Sequence, residues 1–401
     1  MPHPSFNNII IIMGGSLGGL TAALALRDIG CDVMVYERTR TPLAGQGAGI
    51  VLNPATVRYL VERRNLDIAT ISVSAQALHY LDAVGGIAHE RAVAYRFSSY
   101  NALYRGLLDA FDPARYRLNT AIEHFAQDDR GVMVRLSGGA EQRCDLLVCA
   151  DGVRSTARKI LSPEAQASYA GYVAWRGTVS PADLSPRVRA LFLDTITYRL
   201  MPNSHLLTYP IPVADSVASG DSSRLNWLWY RNIAEGPALD AVLTDRSGQR
   251  RDVSVPAGMV ADSQLDQLRT DTVELLPPPL VELVQATAQP FVQAIVDLEV
   301  PRMAFGRVCL IGDAAFVARP HAAAGTAKAA ADAWALAETL LAKSGDISAA
   351  LPQWEQRQLA VGRGVLQRTR EAGRRVQFDG TWHVGDELPF GLYQIGDSVM
   401  R

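Results

Sequence analysis

The 401-residue chain carries 39 Lys and Arg against 41 Asp and Glu, with 48% hydrophobic residues. That length buries a large core and accommodates two domains or one elaborate one. A net charge of −2 with no Lys/Arg-rich run offers no field for nucleic acid or acidic lipid, so neither is expected as a partner.

The apolar start from Ile9 to Ile12 is too short to span a membrane and follows no basic segment with a cleavage site, so a cytoplasmic protein is expected. Cys31, Cys144, Cys149 and Cys309 lie in apolar runs without C-x-x-C spacing and read as buried thiols.

In chain order, residues 9 to 26 predict a strand, a glycine turn and a helix ending near Asp28, with Gly30 as its stop. Gly14, Ser16 and Gly19 stand where a dinucleotide turn carries three glycines. The first permits a tight bend, the second lets backbone approach a pyrophosphate, and the third lets helix and strand pack closely. Serine adds one carbon and a hydroxyl that can itself donate to phosphate. CDVMVYE predicts the next strand and ends on Glu37, 23 residues after Gly14, where a carboxylate can accept both hydroxyls of an adenosine ribose. For Arg38, pairing with phosphate or covering the adenine stands beside a solvated surface role.

After a loop with Pro42 and Gly45, GAGIVLNPATVRYLVERR predicts a strand, a boundary at Pro54 and a helix. RCDLLVCADGVRSTAR sets Asp151 and Gly152 at the end of an apolar strand, followed by Arg154 and Ser155. From about Tyr169 to Tyr230, the runs YVAWRGTV, TITYRLM, HLLTYPIP and RLNWLWYR predict a mostly antiparallel sheet that carries Tyr172, Trp175, Tyr209, Trp227, Trp229 and Tyr230. ADSVASGDSS, 214 to 223, reads as a mobile loop. Helix is expected from about Ser263 to Ala288. RVCLIGDAA then places Gly312 and Asp313 at a strand end, and Pro320 precedes a small-residue turn, Ala323, Ala324 and Gly325. That turn opens the first of the alanine-rich helices running to about residue 375.

The glycine turn, the D-G motif and the late G-D motif, in this order, resemble the FAD-dependent single-component aromatic hydroxylases related to p-hydroxybenzoate hydroxylase. GIVLNP, YAGYVAWRG, YPIP, NIAEGPALD, RPHAAAG and Ser16 itself resemble a branch acting on hydroxypyridines. The resemblance implies an α/β fold: an FAD-binding, Rossmann-like three-layer domain (1–75, 99–165 and 285–345) interleaved with a mostly antiparallel β-sheet substrate domain (76–98 and 166–284), then a C-terminal helical segment (346–401). It implies FAD as cofactor, NADH or NADPH as co-substrate, and O2 transferred to an electron-rich ring through a flavin C4a-hydroperoxide. A homodimer is left open.

By the same resemblance FAD contacts fall on Gly14, Ser16, Leu17, Gly19, Glu37 and Arg38, on Gly49, Ile50 and Val51 beside the flavin, and on Ile122 beside the adenine. Asp151 joins them, with Arg154 able to serve both cofactors. Asp313 suits the ribityl hydroxyls. Pro320, Ala323, Ala324, Gly325 and Thr326 form the helix start, whose free N–H groups suit the negative charge of reduced flavin. Relatives commonly carry histidine where this chain has Phe316, G-Q-G and asparagine where it has Ala323 to Gly325 and Ala327, and an arginine near Tyr100.

His321 is the first catalytic candidate, because it follows Pro320 at the turn facing the flavin and imidazole can change charge near neutral pH. Tyr209 is the second, as a partner for a ring hydroxyl, with core packing as the bland reading. The other histidines show no ligand spacing, so no metal site is expected. A hydroxybenzoate-type ring, or a flavin dehydrogenase that uses oxygen poorly, stands as the alternative. A halogenase would need a W-x-W-x-I-P motif near the first flavin region. A binding protein without cofactor would have no use for Glu37, Asp151 and Asp313.

Overall fold

The computed structural model describes residues 6–43, 49–213 and 223–397; residues 214–222 of the expected mobile loop lie outside them. Strand β1 (Ile9–Met13), helix α1 (Leu17–Asp28) and strand β2 (Asp32–Tyr36) form the opening unit. Further along come β3 (Leu146–Cys149), β4 (Ser168–Val179), β5 (Ser204–Pro212), β6 (Ser223–Asn232) and β7 (Val308–Leu310). Helices α2 (Gly325–Ala342) and α3 (Ile347–Arg374) follow.

A six-stranded sheet runs in the order 304–305, β7, β3, β1, β2, 116–117, and is parallel except for the 304–310 hairpin. Its central strands are buried on both faces, which explains their unbroken apolar runs. Helix α1 is buried nearly all round rather than on one face, because α2 packs on it closely enough that a Cβ on Gly18 would meet the Ala329 Cβ at 3.1 Å.

A larger, ten-stranded sheet runs 254–255, 291–299, β4, β6, β5, 195–201, 73–81, 87–99, 49–51, with 316–317 paired off this path. Its pairs are antiparallel except 195–201 with 73–81. The GIVLNP strand therefore joins this sheet, through Ile50 opposite Ser98, instead of the dinucleotide sheet.

Alternation along its strands sorts two faces. Val173, Trp175, Leu206, Trp227 and Trp229 pack under Leu268, Leu280 and Leu283 of the 262–285 helices. Tyr172, Ala174, Tyr209, Leu228 and Tyr230 face Ala323, Ala372 and Trp382. Residues 122–144 add a separate three-stranded sheet. All four cysteines are free and buried, and among the described residues no helix is long and apolar enough to cross a membrane.

Candidate active site

The four sequence signals converge because of strand register. Tyr36, Met13, Cys149 and Leu310 form one row across the parallel sheet. The residues after that row are Glu37, Gly14, Ala150 with Asp151, and Ile311 with Gly312, so every motif emerges at the carboxyl edge, where doubly wound sheets bind ligands.

Contact geometry then locks the motifs together. Gly14 has φ +103°, and a Cβ there would lie 2.5 Å from the Ala150 carbonyl oxygen. A Cβ on Gly19 would lie 1.9 Å from the Gly14 oxygen. Both glycines are thus required, whereas Ser16 sits in extended backbone open to any residue. Its hydroxyl does not cap α1; it lies 2.8 Å from the Tyr100 hydroxyl. Two departures from the family pattern, serine for glycine and tyrosine near an expected arginine, are therefore partners. Tyr116 donates to the Gly15 carbonyl at 2.9 Å and meets the Tyr104 hydroxyl at 3.1 Å, so the turn rests on tyrosine hydroxyls.

Glu37 is buried, accepting from Gly15 N and Thr39 N, each at 2.9 Å, so its carboxylate faces the turn and retains lone pairs for a ribose. Arg38 is exposed. Asp151 does something the D-G reading had not specified: beside the Ser155 cap of the helix Thr156–Leu161, it accepts from the first-turn amides Thr156 N at 2.6 Å and Ala157 N at 3.2 Å. Burial raises its carboxyl above the ordinary range, against those donors and Ser155. Its Oδ1 is buried without a partner among the described residues.

Asp313 stands exposed on the turn after β7. Its side chain stays open to solvent along the edge, but the protein packed beneath the turn strips part of its hydration and pushes its carboxyl up to about 6, opposed by Lys328 and Arg158. Arg158 reaches the Ala314 carbonyl at 3.0 Å, tying the D-G helix to the G-D turn. The uncapped start of α1, the glycines no Cβ can enter, and carboxylates at both ends fit an FAD lying along this edge.

The turn Pro320–Ala322, followed by Ala323 at φ 52°, delivers His321 to the aromatic face of the large sheet. Its Nε2 lies 2.7 Å from the Tyr172 hydroxyl, and its ring packs on Tyr230 and His205 at 5.2 and 5.5 Å between centroids. Burial, helped by the Arg319 charge, drives His321 down to about 3. The expected charge change near neutral pH is thus corrected: the imidazole stays neutral there. Arg319 is held by Asp297, its Nη2 at 2.8 Å from Oδ2.

Gly373 of α3 makes room for this group: a Cβ would lie 2.6 Å from the Tyr172 oxygen and 3.0 Å from His321 Nε2. Gly373→Ala is expected to lower the melting temperature, by about 1–3 kcal/mol of overpacking in thermal unfolding.

Tyr209 donates to the Gly49 carbonyl at 3.0 Å and stacks on Phe97 at 4.4 Å, and Asn226 Oδ1 accepts from Gly49 N at 3.3 Å. Tyr209 thus fixes the 49–51 strand, with Ile50 half-buried and Val51 buried beside it. Ile122 is buried at the start of the three-stranded sheet. Leu17 begins α1, and Ala324, Gly325 and Thr326 start α2 without a side-chain cap.

Sequence reading missed Asn226, Arg176, Arg319, Gly373 and the buried pair Lys328 and Asp332. Asn226 and Arg176 share the inner face with Tyr209, a placement that strand alternation could have supplied.

A dinucleotide edge built from these motifs, facing an aromatic sheet, defines a flavoprotein. The chain belongs to the FAD-dependent monooxygenases that hydroxylate aromatic rings. It is 41% identical to the 2,6-dihydroxypyridine 3-monooxygenase of Paenarthrobacter nicotinovorans, over 97% of this chain and 96% of that one. The solved 2,6-dihydroxypyridine-3-hydroxylase from Arthrobacter nicotinovorans superposes with a TM-score of 0.91 at 40% identity, covering 98% of each chain. A 3-amino-4-hydroxybenzoate 2-monooxygenase of Streptomyces platensis is 27% identical over 91% of this chain and 87% of its own. The family described as FAD binding domain-like matches residues 169–297.

Proposed function

We propose that the chain hydroxylates a hydroxypyridine, of the kind represented by 2,6-dihydroxypyridine, using FAD, NADH or NADPH, and O2. The observation that carries this reading is identity of 41% sustained over 97% of the chain with a hydroxypyridine monooxygenase. When bound, FAD supplies two-electron reduction and activation of O2.

The chain's own residues take the remaining roles. The α1 turn with Ser16 and Tyr100 receives the pyrophosphate, Glu37 the adenosine ribose, and Asp313 the ribityl hydroxyls. Gly49 to Val51 and the start of α2 flank the ring system. On the sheet face, Arg176 Nε and Asn226 Nδ2 are buried donors without a partner among the described residues. Unmet buried donors call for a ligand, and we assign these two to an oxygen of the substrate ring.

Arg176 also opposes the burial that raises Tyr209 and Tyr230, a charge that favours an ionised, electron-rich ring. Neutral His321, bonded to Tyr172, holds the proton of a ring hydroxyl by hydrogen bonding, and the surrounding aromatic rings exclude water. The cytoplasm and a homodimer complete the reading.

The test is a steady-state screen of hydroxypyridines and hydroxybenzoates that follows NADH consumption and product together. Strong stimulation by a dihydroxypyridine with matching product supports the reading. Stimulation only by a hydroxybenzoate moves the substrate class, and none by any ring overturns it.

A further inference from the structure

Lys328 is 3% exposed and its partner Asp332 is 0% exposed, both on α2 beneath the Gly312–Asp313 turn. Lys328 Nζ lies 2.7 Å from Asp332 Oδ2, and the same oxygen accepts from Gly312 N at 2.8 Å. The ammonium also sits 4.6 Å from the centroid of Phe316, the residue standing where relatives commonly carry histidine. The lysine thus sits on an aromatic face, one carboxylate away from a turn amide. Burial of an ion pair is costly unless further bonds satisfy it.

We propose that Lys328 is a positioning residue of the cofactor site: through Asp332 it fixes the Gly312–Asp313 turn, and as the buried cation beneath that turn it keeps Asp313 ionised toward the ribityl hydroxyls. This rests on the role given to Asp313 above. The charged groups around Asp313 are Lys328 and Asp332 from α2, Arg158 from the 156–161 helix and Asp151 after β3. Of these, Lys328 and Arg158 act on the Asp313 carboxyl, both favouring ionisation. Arg158 is engaged with main-chain carbonyls of Val153 and Ala314, which leaves Lys328 as the charge whose removal leaves that framework intact.

FAD-stripped protein would be titrated with FAD by fluorescence quenching between pH 5 and 8, with thermal melts to score folding. In the unaltered chain, affinity falls as pH drops and Asp313 takes up a proton. In Lys328→Met the fall moves up by about one pH unit, so affinity drops about 2-fold at pH 7 and up to about 10-fold at pH 5. Lys328→Arg keeps the cation and leaves the midpoint in place.

If Lys328→Met melts early, Lys328→Gln removes the cation while keeping a donor to Asp332, and its midpoint must still lie above that of the unaltered chain. An unchanged midpoint in these variants overturns the proposal. Asp313→Asn separates the two claims: it should bind weakly with no pH step. A step retained in Asp313→Asn removes the Asp313 assignment itself and this inference with it.

Discussion

Asp313→Ala is expected to weaken FAD binding by about 10- to 150-fold, the loss of one charge-assisted hydrogen bond at roughly 1.5–3 kcal/mol. Titrating FAD-stripped protein measures it, and unchanged affinity would mean that the ribityl end lies elsewhere. A second consequence has the opposite sign. The folded carboxyl is pushed up to about 6 from an ordinary 3.8. A raised acid contributes stability that is full below about 4 and is lost as pH rises through 6. Asp313→Asn should therefore melt higher than the unaltered cofactor-free protein at pH 7 to 8, and the gain should vanish below about pH 4. One carboxylate would then cost the free protein stability and serve the bound one.

His321→Asn is expected to leave FAD bound and NADH oxidised while hydroxylation slows about 100- to 1,000-fold, the range for losing one positioned polar group at the reacting ring, so that product per NADH collapses. Coupling measured as product against NADH decides it; retained coupling would remove His321 from the site. Because burial and Arg319 lower His321 from 6.5 to about 3, no inflection of coupling between pH 6 and 8 should belong to it. For stability the sign is that of a depressed base: the contribution is full above about 6.5 and is lost as pH falls toward 3. The unaltered chain should lose melting temperature across that window more steeply than His321→Asn.

The dinucleotide edge was legible because it is written locally. Gly14 and Gly19 are demanded by backbone approach, Glu37 ends a strand, and Gly312 with Asp313 ends another, so each signal lies within a few residues of its cause. Ser16 was legible as a departure, but its partner Tyr100 lies 84 residues away and only tertiary contact joins them. The Gly49–Val51 strand could not be assigned to the larger sheet for the same reason: pairing with Phe97 to Ser99 is a long-range register.

His321 was read as the residue after Pro320 at a turn facing the flavin, and neither its place among the sheet aromatics nor its neutral state was legible. Burial by Tyr172, His205 and Tyr230, which arrive from three different strands, sets it. Lys328 escaped notice because a lysine four residues before an aspartate on a helix reads equally well as a solvated surface pair. Its burial against Phe316 and Asp332 is set by tertiary packing.

A monooxygenase of this family puts one atom of O2 into the aromatic ring. Incubating the FAD-loaded protein with NADH and 2,6-dihydroxypyridine under 18O2, with mass spectrometry of the product, tests it most directly. One labelled oxygen per hydroxylated product is expected, with product close to one per NADH consumed. Unlabelled product, or NADH consumed with only hydrogen peroxide formed, would contradict it.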